Sequence, residues 1–316
     1  MTPTARTAIA VLDDWQGAAR RFADWSAIAA RADLQVFDDH LADPEAVVAR
    51  LAAFDAVCVM RERTPLPRTI LERLPRLKLV VSTGSRNASI DTRAAEELGI
   101  AVEHTGYASD PTIEFTWALI LACCRHVAEE AANVRAGRWQ ATVGTGLRGK
   151  TLGVLGLGRV GGAVARIGQA FGMRTIAWSP NMTPERAAEH GATAVAREAL
   201  FAEADVLTIH MVLSPRTRGL VGAADLAHMK PTARLVNTSR GPLVDEAALL
   251  ETLRARRIAG AAIDVYEVEP LPADHPLRAL DNVLATPHIG YVADDLYRTF
   301  FGDTVAALAR WLDARA

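Results

Sequence analysis

Arginine, carboxylate and histidine side chains in the last quarter of the sequence have types that can bind an acid and move a proton. Arg240 and His288 each follow a short apolar run, and Asp264, Glu267 and Glu269 follow the run between them. A guanidinium binds a carboxylate through a planar fork of hydrogen bonds, and a histidine paired with a carboxylate can exchange a proton with a substrate. Taken alone, His288 has the simpler interpretation of a loop residue in contact with water. The three types together favour chemistry on a small organic acid.

The apolar runs indicate the elements that position these residues. Most are continuous rather than alternating, which is typical of parallel strands buried on both faces. They alternate with longer segments of helical pattern and therefore predict doubly wound α/β architecture. The predicted strands form two sets, over 8–12, 34–37, 56–60, 77–81 and 100–104, and over 151–156, 174–178, 205–210, 234–238, 260–264 and 282–286.

The break between the two sets predicts a domain boundary. Asp110 and Pro111 form a helix start signal, and we expect an apolar connecting helix from there to about Val134. The C-terminal segment is amphipathic and is predicted to pack on the first domain. Its predicted apolar stripe is Leu296, Phe300, Val305, Leu308 and Leu312.

These patterns predict a discontinuous domain interrupted by an inserted one. The first is expected to comprise residues 1–103 and 292–316, and the second residues 104–291. Arg240, Glu269 and His288 all fall in the inserted domain. Because the carboxyl ends of parallel strands meet at one edge of a sheet, we expect these side chains at the same edge.

A glycine loop lies at the start of the second set of strands. Gly156, Gly158 and Gly161 form the pattern GxGxxG between a buried strand and a helix, which is the context of a dinucleotide-binding turn. The first glycine permits the tight turn, the second lets the backbone approach a pyrophosphate, and the third lets helix and strand pack closely. The helix N-terminus offers N–H groups to the anion.

The residue at the end of the next strand leaves the choice of cofactor open. An acidic residue that binds the ribose of NAD is expected there, and Ser179 occupies the position. Serine neither binds the ribose hydroxyls as strongly as a carboxylate nor repels the extra phosphate of NADP. The expected cofactor is NAD(H) or NADP(H), without a preference between them.

Composition and charge exclude several other classes of protein. The 316 residues carry a net charge of -2 with both signs mixed along the chain, which does not favour a nucleic-acid partner. The longest apolar run, 115–124, is about half the length that a bilayer requires. Cys58, Cys123 and Cys124 lack metal-ligand spacing and are interpreted as reduced thiols. We expect a cytoplasmic protein with a small-molecule substrate and neither metal nor membrane partner.

Four segments together resemble one known family. "TLGVLGLGRVGG", "VNTSRGPLVDEAAL", "AAIDVYEVEP" and "TPHIG" are similar, in order and spacing, to the D-isomer-specific 2-hydroxyacid dehydrogenases. The resemblance covers nearly the whole chain. It implies two Rossmann-like doubly wound parallel-sheet domains with the active site in the cleft between them. It also implies hydride transfer between a nicotinamide cofactor and a small 2-keto or 2-hydroxy acid, with glyoxylate or hydroxypyruvate favoured.

The resemblance implies a role for each of the three reactive side chains. Arg240 would bind the substrate carboxylate, His288 would donate the proton, and Glu269 would pair with the imidazole. The related formate dehydrogenases have glutamine at the position of Glu269, so the glutamate favours hydroxy-acid chemistry. On the cofactor side, the resemblance adds the backbone of Arg159 and Val160, the residues Thr238 and Ser239, and Asp264, which would contact the nicotinamide amide.

The resemblance is less specific about the substrate. Gly84 and Ser85 would receive the substrate carboxylate, and Arg86 replaces a small or aromatic residue common at that position. Arg61 and Arg63 resemble an arginine pair that meets phosphate in phosphoglycerate-directed relatives; solvated loop arginines are an equally good interpretation. A small substrate without phosphate is preferred.

Two further implications concern assembly and class. The segment around Trp139 embraces a second subunit in the family, so a homodimer is expected by analogy. Some relatives on this fold are corepressors. A non-catalytic NAD(H)-sensing protein is therefore the alternative to an active oxidoreductase, and turnover of a keto acid distinguishes the two.

Overall fold

The chain divides into two compact units, each built on one parallel β-sheet. The computed structural model describes residues 6–315. One unit contains the described residues through Ala108 together with those from Val292 onwards, and the other is Ser109–Tyr291. The sheets have five and seven strands, and all their pairings are parallel. The expectation of two Rossmann-like, doubly wound parallel-sheet domains is confirmed.

The first unit has strand order β2-β1-β3-β4-β5. Its strands are β1 Thr7–Val11, β2 Ala32–Val36, β3 Ala56–Val59, β4 Leu79–Ser82 and β5 Ala101–His104. Its first helices are α1 Ala19–Phe22, α2 Ser26–Ala29, α3 Pro44–Leu51, α4 Arg68–Leu71 and α5 Thr92–Glu97. The central β3 and β4 are buried throughout, whereas the edge strands β2 and β5 are partly exposed. The strand order reverses between β1 and β3, where open α/β sheets bind ligands.

The second unit has strand order β12-β11-β10-β9-β6-β7-β8, with its reversal at β6 and β9. The strands are β6 Thr151–Leu155, β7 Arg174–Trp178, β8 Thr193–Ala194, β9 Val206–Ile209, β10 Arg234–Asn237, β11 Gly260–Ile263 and β12 Val283–Ala285. The helices are α6 Asp110–Cys124, α7 Val127–Arg135, α8 Arg159–Ala170, α9 Pro184–Ala188, α10 Arg197–Glu203, α11 Ala223–His228 and α12 Glu246–Arg254. Short 3-10 helices cover Gly241–Leu243 and Pro276–Ala279. The sequence prediction missed β8, because two residues form no apolar run.

The predicted connecting helix is two helices rather than one. The expectation of a continuous helix to about Val134 is wrong, because α6 ends at Cys124 and α7 begins at Val127. His126 between them has φ of 53°, a left-handed conformation that no α-helix continues through. The N–H of Thr145 donates to the carbonyl of Cys124, which satisfies part of the exposed end of α6. Asp110 is the first residue of α6, and Ser109 precedes it as the cap position.

The C-terminal helix α13, Asp294–Asp313, packs within the first unit against α1, α2 and β4. Its buried face follows the predicted stripe except at one step, where Thr304 is buried and Val305 is half-buried. Asp303 accepts a hydrogen bond from the N–H of Gly106 at 2.8 Å, directly after β5. The helix is therefore held to its unit by both apolar packing and a polar contact.

Candidate active site

The carboxyl edge of the seven-stranded sheet carries most of the predicted site residues of the second unit. The glycine loop follows β6, Ser179 follows β7, and Arg240 lies three residues beyond β10. Asp264 follows β11 directly, and His288 lies in the loop after β12. The parallel pairing of these strands places all of these loops at the same edge.

His288 and Glu269 form a close pair. Nδ1 of His288 lies 2.5 Å from Oε2 of Glu269, and the two side chains are 23% and 32% exposed. The other carboxylate oxygen, Oε1, accepts the backbone N–H of Tyr266 at 2.8 Å. Because Nδ1 is engaged by the carboxylate, Nε2 is the ring nitrogen left to exchange a proton with a substrate.

The backbone of His288 is held in an unusual conformation. Its φ is 53°, in the left-handed region that residues other than glycine seldom adopt. Such residues persist where the surroundings hold them and occur often at functional sites. The ring of Tyr291 stands edge-on to the imidazole, with ring centroids 5.7 Å apart, and is itself buried. The imidazole is thus restrained both by a carboxylate and by an aromatic neighbour.

Asp264 fastens the loop that carries His288. Its Oδ1 accepts the Thr286 hydroxyl at 2.7 Å and the Ile289 N–H at 2.9 Å, and its Oδ2 accepts the Gly290 N–H at 2.8 Å. Burial raises the pKa of the Asp264 carboxyl, while the Thr286 hydrogen bond and the nearby His288 act in the opposite direction. These contacts lie on both sides of His288, so this carboxylate holds the turn in place.

Arg240 follows β10 in an extended conformation. Its Nη1 donates to the carbonyl of Ser239 at 2.7 Å, and its own carbonyl accepts the Asn237 side-chain amide at 3.0 Å. A Cβ placed on the next residue, Gly241, would lie 2.0 Å from the carbonyl carbon of Tyr266. The chain after Arg240 therefore lies directly against the segment that leads to Glu269.

The glycine loop has the geometry of a cradle for an anion. Gly156 has φ of 96°, and a Cβ there would meet the His210 carbonyl at 2.7 Å. A Cβ on Gly161 would lie 2.0 Å from the carbonyl oxygen of Gly156, whereas one on Gly158 meets nothing within 4 Å. Gly158 and Arg159 are exposed at the start of α8, and Val160 is half-buried. The close contacts hold the turn, and the open side at Gly158 leaves room for a pyrophosphate.

The hydroxyls of Thr238 and Ser239 contact the protein itself. Thr238 lies 2.8 Å from the hydroxyl of Thr116 in α6, and Ser239 donates to the carbonyl of Met211 at 2.7 Å. The sulfur of Met211 borders Gly156, so Ser239 connects the end of β10 to the glycine loop. Both residues stay predicted cofactor neighbours.

Ser179 lies beside the glycine loop. The residue before it, Trp178, accepts the N–H of Gly156 at 2.9 Å through its carbonyl. Arg174 lies at the opposite end of β7 and pairs with Glu203 at 2.6 Å, so its charge is far from Ser179 along the strand. Arg186 in α9 donates to the carbonyl of Asn181 at 3.3 Å.

The predicted substrate residues lie after β4 and β3 in the first unit. Gly84 has φ of 84°, and its N–H donates to the Thr105 hydroxyl at 2.8 Å. Ser85 and Arg86 are exposed. Nη1 of Arg61 would lie 1.7 Å from a Cβ on Gly84, so the guanidinium rests directly on this glycine.

Arg61 and Arg63 extend to opposite sides of β3. Arg61 donates to the carbonyl of Thr83 after β4 at 3.2 Å, and its guanidinium carbon lies 5.2 Å from the centre of the Tyr107 ring. Arg63 donates to the carbonyl of Asp13 after β1 at 2.8 Å, and its guanidinium lies 4.3 Å from the centre of the Trp15 ring. In the strand order, β3 lies between β1 and β4.

Sequence reasoning missed several polar contacts at these edges. His40 lies 2.8 Å from the buried carboxylate of Asp13, although no spacing relates residues so far apart in the chain. His210 lies 2.9 Å from the Thr208 hydroxyl, and desolvation lowers the pKa of His210 to about 4. Tyr266 lies in the segment AAIDVYEVEP, but the sequence did not indicate its hydrogen bonds to Glu269 and to the Thr286 carbonyl in the loop that carries His288. The only sequence signal was its position two residues after Asp264.

The three cysteines contribute no reactive thiol. All are free. Burial raises the pKa of Cys58 to about 12 and that of Cys123 to about 11, and it also raises the pKa of Cys124 above its ordinary value. Thiols with pKa values this high stay protonated and are poor nucleophiles at neutral pH. Among the described helices, none is both long enough and apolar enough to cross a bilayer.

Comparison with known proteins agrees with the geometry of the second unit. Residues 117–290 match the profile of the D-isomer specific 2-hydroxyacid dehydrogenase NAD binding domain. A glyoxylate reductase of Aeropyrum pernix is 42% identical over 268 residues, which cover 81% of this chain and 79% of that protein. The chain spans only 45% of a D-3-phosphoglycerate dehydrogenase of Methanocaldococcus jannaschii, to which it is 41% identical over 238 residues.

A solved structure extends the likeness to nearly the whole chain. A phosphoglycerate oxidoreductase of Vibrio cholerae superposes with a TM-score of 0.91 at 37% identity, covering 98% of this chain and 99% of that one. The chain belongs to the D-isomer-specific 2-hydroxyacid dehydrogenase family. It is thus an oxidoreductase of the class that acts on CH–OH donors, with a nicotinamide-binding domain, and the family named from the sequence is confirmed.

Proposed function

We propose that this chain reduces a short 2-keto acid to the D-2-hydroxy acid, and catalyses the reverse oxidation, with Arg240, Glu269 and His288 as the catalytic residues. The main support for this proposal is the contact between Nδ1 of His288 and Oε2 of Glu269, which lie 2.5 Å apart. It lies at the sheet edge where the glycine loop and Arg240 also lie.

The glycine loop fits a dinucleotide. The open side at Gly158 and the exposed start of α8 would bind the pyrophosphate, because N–H groups at a helix N-terminus attract anions. When bound in its reduced form, the nicotinamide cofactor supplies a hydride to the substrate carbonyl carbon. The backbone of Arg159 and Val160, together with Ser179, Thr238, Ser239 and Asp264, forms the rest of the proposed cofactor site.

His288 supplies the proton in this proposal. As the carbonyl is reduced, its oxygen needs a proton, which Nε2 of the imidazolium donates. Glu269 holds Nδ1–H, fixes the ring plane and stabilises the positive charge. In the oxidative direction, Nε2 of the neutral ring removes the hydroxyl proton.

Arg240 orients the acid. Its guanidinium would bind the substrate carboxylate through the planar fork and place a positive charge beside the neighbouring carbonyl. One donor, Nη1, is directed to the Ser239 carbonyl and helps to hold the side chain. In the first unit, we propose Gly84, Ser85, Arg86 and Arg61 as substrate-binding residues, with the cationic Arg61 lying on Gly84.

The two arginines after β3 favour a substrate without phosphate. Arg61 and Arg63 extend to opposite sides of the strand and contact different loops. A phosphate held by an arginine pair needs both guanidinium groups to converge on it. Glyoxylate, hydroxypyruvate or a similarly small keto acid therefore suits this arrangement better than a phosphorylated one.

The site after β7 accepts either nicotinamide cofactor in this proposal. Ser179 carries no charge to repel a 2′-phosphate, and Arg186 lies within the same turn region through its bond to Asn181. A Ser179→Asp variant should shift the ratio of NADPH to NADH affinity towards NADH, measured by quenching of protein fluorescence. A Ser214→Asp variant, with the same charge change after β9, is the control; an unmoved ratio in Ser179→Asp would remove this residue from the cofactor site.

We also propose that the chain forms a homodimer through α7 and the segment that follows it. Val127, Val134, Trp139 and Val143 are all more than half exposed, which is unusual for large apolar side chains grouped in one stretch. Trp139→Ser should shift the mass measured by light scattering towards the monomer. Leu98→Gln, an exposed leucine of the first unit, should leave it unchanged.

Turnover tests the proposed function. Purified protein is mixed with NADH or NADPH and, in turn, glyoxylate, hydroxypyruvate, pyruvate, phenylpyruvate or phosphohydroxypyruvate, while the absorbance of the reduced nicotinamide is followed. Rapid loss with a small unphosphorylated keto acid is expected. Cofactor binding without turnover of any acid would instead favour an NAD(H)-sensing protein.

A further inference from the structure

Tyr266 lies at the centre of the polar contacts that hold the catalytic pair. It follows β11 by three residues, is 6% exposed, and packs its ring into the apolar core of the second unit. Its backbone N–H donates to Oε1 of Glu269 at 2.8 Å. Its hydroxyl lies within hydrogen-bond distance of two carbonyl oxygens, that of Thr286 at 2.8 Å and that of Ile263 at 3.1 Å. One residue therefore contacts both the carboxylate and the loop of the catalytic pair.

The Thr286 carbonyl is also bonded to the catalytic histidine. It accepts the backbone N–H of His288 at 3.1 Å, in addition to the Tyr266 hydroxyl. His288 itself has a φ of 53°, a conformation that its surroundings must hold. Burial raises the pKa of the Tyr266 hydroxyl well above its ordinary value, so it remains a donor throughout the neutral range.

The backbone of Tyr266 also limits the position of the arginine loop. A Cβ on Gly241 would collide with the Tyr266 carbonyl group, so the chain after Arg240 runs against this backbone without a side chain between them. Tyr266, whose ring is packed in the core, therefore contacts Glu269, the loop that carries His288 and the chain directly after Arg240.

We propose that Tyr266 is a positioning residue, whose core-anchored hydroxyl and backbone set the imidazole of His288 against the carboxylate of Glu269. The proposal rests on the proposed function for its kinetic consequences, but the geometry can be measured without turnover. Tyr266 would touch neither substrate nor cofactor and would act through His288.

Removal of the hydroxyl alone is the primary test. Tyr266→Phe keeps the ring and the backbone N–H, and we expect kcat to fall by about 10- to 100-fold, since small misplacements of a reacting group have costs of this size. The KM values for keto acid and cofactor should change by less than about threefold. Thr304→Val is the control, because it removes a buried hydroxyl that donates to a backbone carbonyl at 2.7 Å in the other unit.

A double-mutant cycle separates positioning from a general structural effect. If Tyr266 acts through His288, Tyr266→Phe should not lower the rate constant any further in a His288→Asn background. The rate constants are measured by single turnover at high enzyme concentration. The same proportional loss in both backgrounds would overturn the proposal, as would an unchanged kcat in the single variant.

A spectroscopic measurement decides the proposal even if no keto acid is turned over. In protein carrying isotope-labelled histidine, the ring resonances of His288 are assigned by their loss in His288→Asn. They should shift or broaden in Tyr266→Phe and stay unchanged in Thr304→Val. Resonances of His288 that are identical in wild type and Tyr266→Phe would refute the positioning role, whereas inactivity of the wild type would refute only the proposed function.

Discussion

Nδ1 of His288 lies 2.5 Å from Oε2 of Glu269, although the two residues are separated by the whole of β12 and the segment before it. In the proposed mechanism the two ring nitrogens have different tasks, since Nδ1 contacts the carboxylate and Nε2 would exchange the proton with the substrate. The pair explains why a histidine placed between Pro287 and Ile289, in a loop just past a strand, is more than a solvent contact.

Loss of the charge on Glu269 should impair catalysis without impairing binding. Glu269→Gln keeps the size of the side chain but no longer stabilises an imidazolium, so we expect kcat to fall by about 100-fold. KM for the cofactor should be nearly unchanged. Glu267→Gln is the control, because it removes only an exposed pair with Arg218 and should keep activity within about twofold. Equal activity of both variants would exclude Glu269 from proton transfer.

Substitution of Arg240 should affect the keto acid more than the cofactor. In Arg240→Lys, a single ammonium replaces the planar fork, so KM for the keto acid should rise by about tenfold or more. Steady-state kinetics with saturating NADH or NADPH measures this change. If KM for the acid stays at the wild-type value, Arg240 does not bind the carboxylate.

Alanine substitutions at two glycines of the loop should affect different properties, protein stability at Gly161 and cofactor affinity at Gly158. Gly161→Ala places a Cβ 2.0 Å from the Gly156 carbonyl oxygen and should lower the free energy of unfolding by about 2 kcal/mol. Gly158→Ala meets nothing in the protein and should preserve stability, yet raise the Kd of the cofactor by about tenfold because the methyl occupies the pyrophosphate approach. Gly222→Ala, which also meets nothing, controls for the loss of glycine. Unchanged cofactor binding in Gly158→Ala would place the pyrophosphate elsewhere.

His210 should make the fold less stable in mild acid. Desolvation lowers its pKa from 6.5 to about 4. Between these two pH values His210 is therefore protonated in the unfolded chain but remains neutral in the folded one. The free energy of unfolding should therefore fall between pH 6.5 and 4, by about 3 kcal/mol at most from this residue. Urea denaturation of wild type and His210→Gln across this range isolates the contribution; parallel pH profiles would show that His210 is protonated equally in both states.

Sequence patterns predicted the fold because parallel strands buried on both faces require continuous apolar runs. The runs near 56–60 and 151–156 correspond to the central strands β3 and β6, which are buried throughout. The same rule placed Arg240 and His288 at one sheet edge, because parallel strands share the direction of their carboxyl ends. The rule does not predict very short strands at a sheet edge, such as the two-residue β8.

The remaining features depend on loop conformations that no spacing encodes. Asp13, Arg61, His126 and His288 all have positive φ, although none is glycine. At two of these residues the backbone angle affects where the side chain lies: the Arg61 guanidinium lies against Gly84, and the Asp13 carboxylate contacts His40. At His126 it separates the end of α6 from the start of α7. The contacts of Tyr266 likewise depend on how three loops fold together. Such conformations are set by tertiary contacts, which only the folded structure shows.

Proton donation by His288 is tested most directly by comparing His288→Asn with wild type. The variant's kcat for reduction of the preferred keto acid and its Kd for NADH or NADPH, determined by fluorescence titration, are measured on the same preparation. We expect kcat to fall by about 1,000-fold or more while Kd stays within about twofold of wild type. Wild-type turnover in the variant, or a loss of activity fully explained by lost cofactor binding, would contradict it.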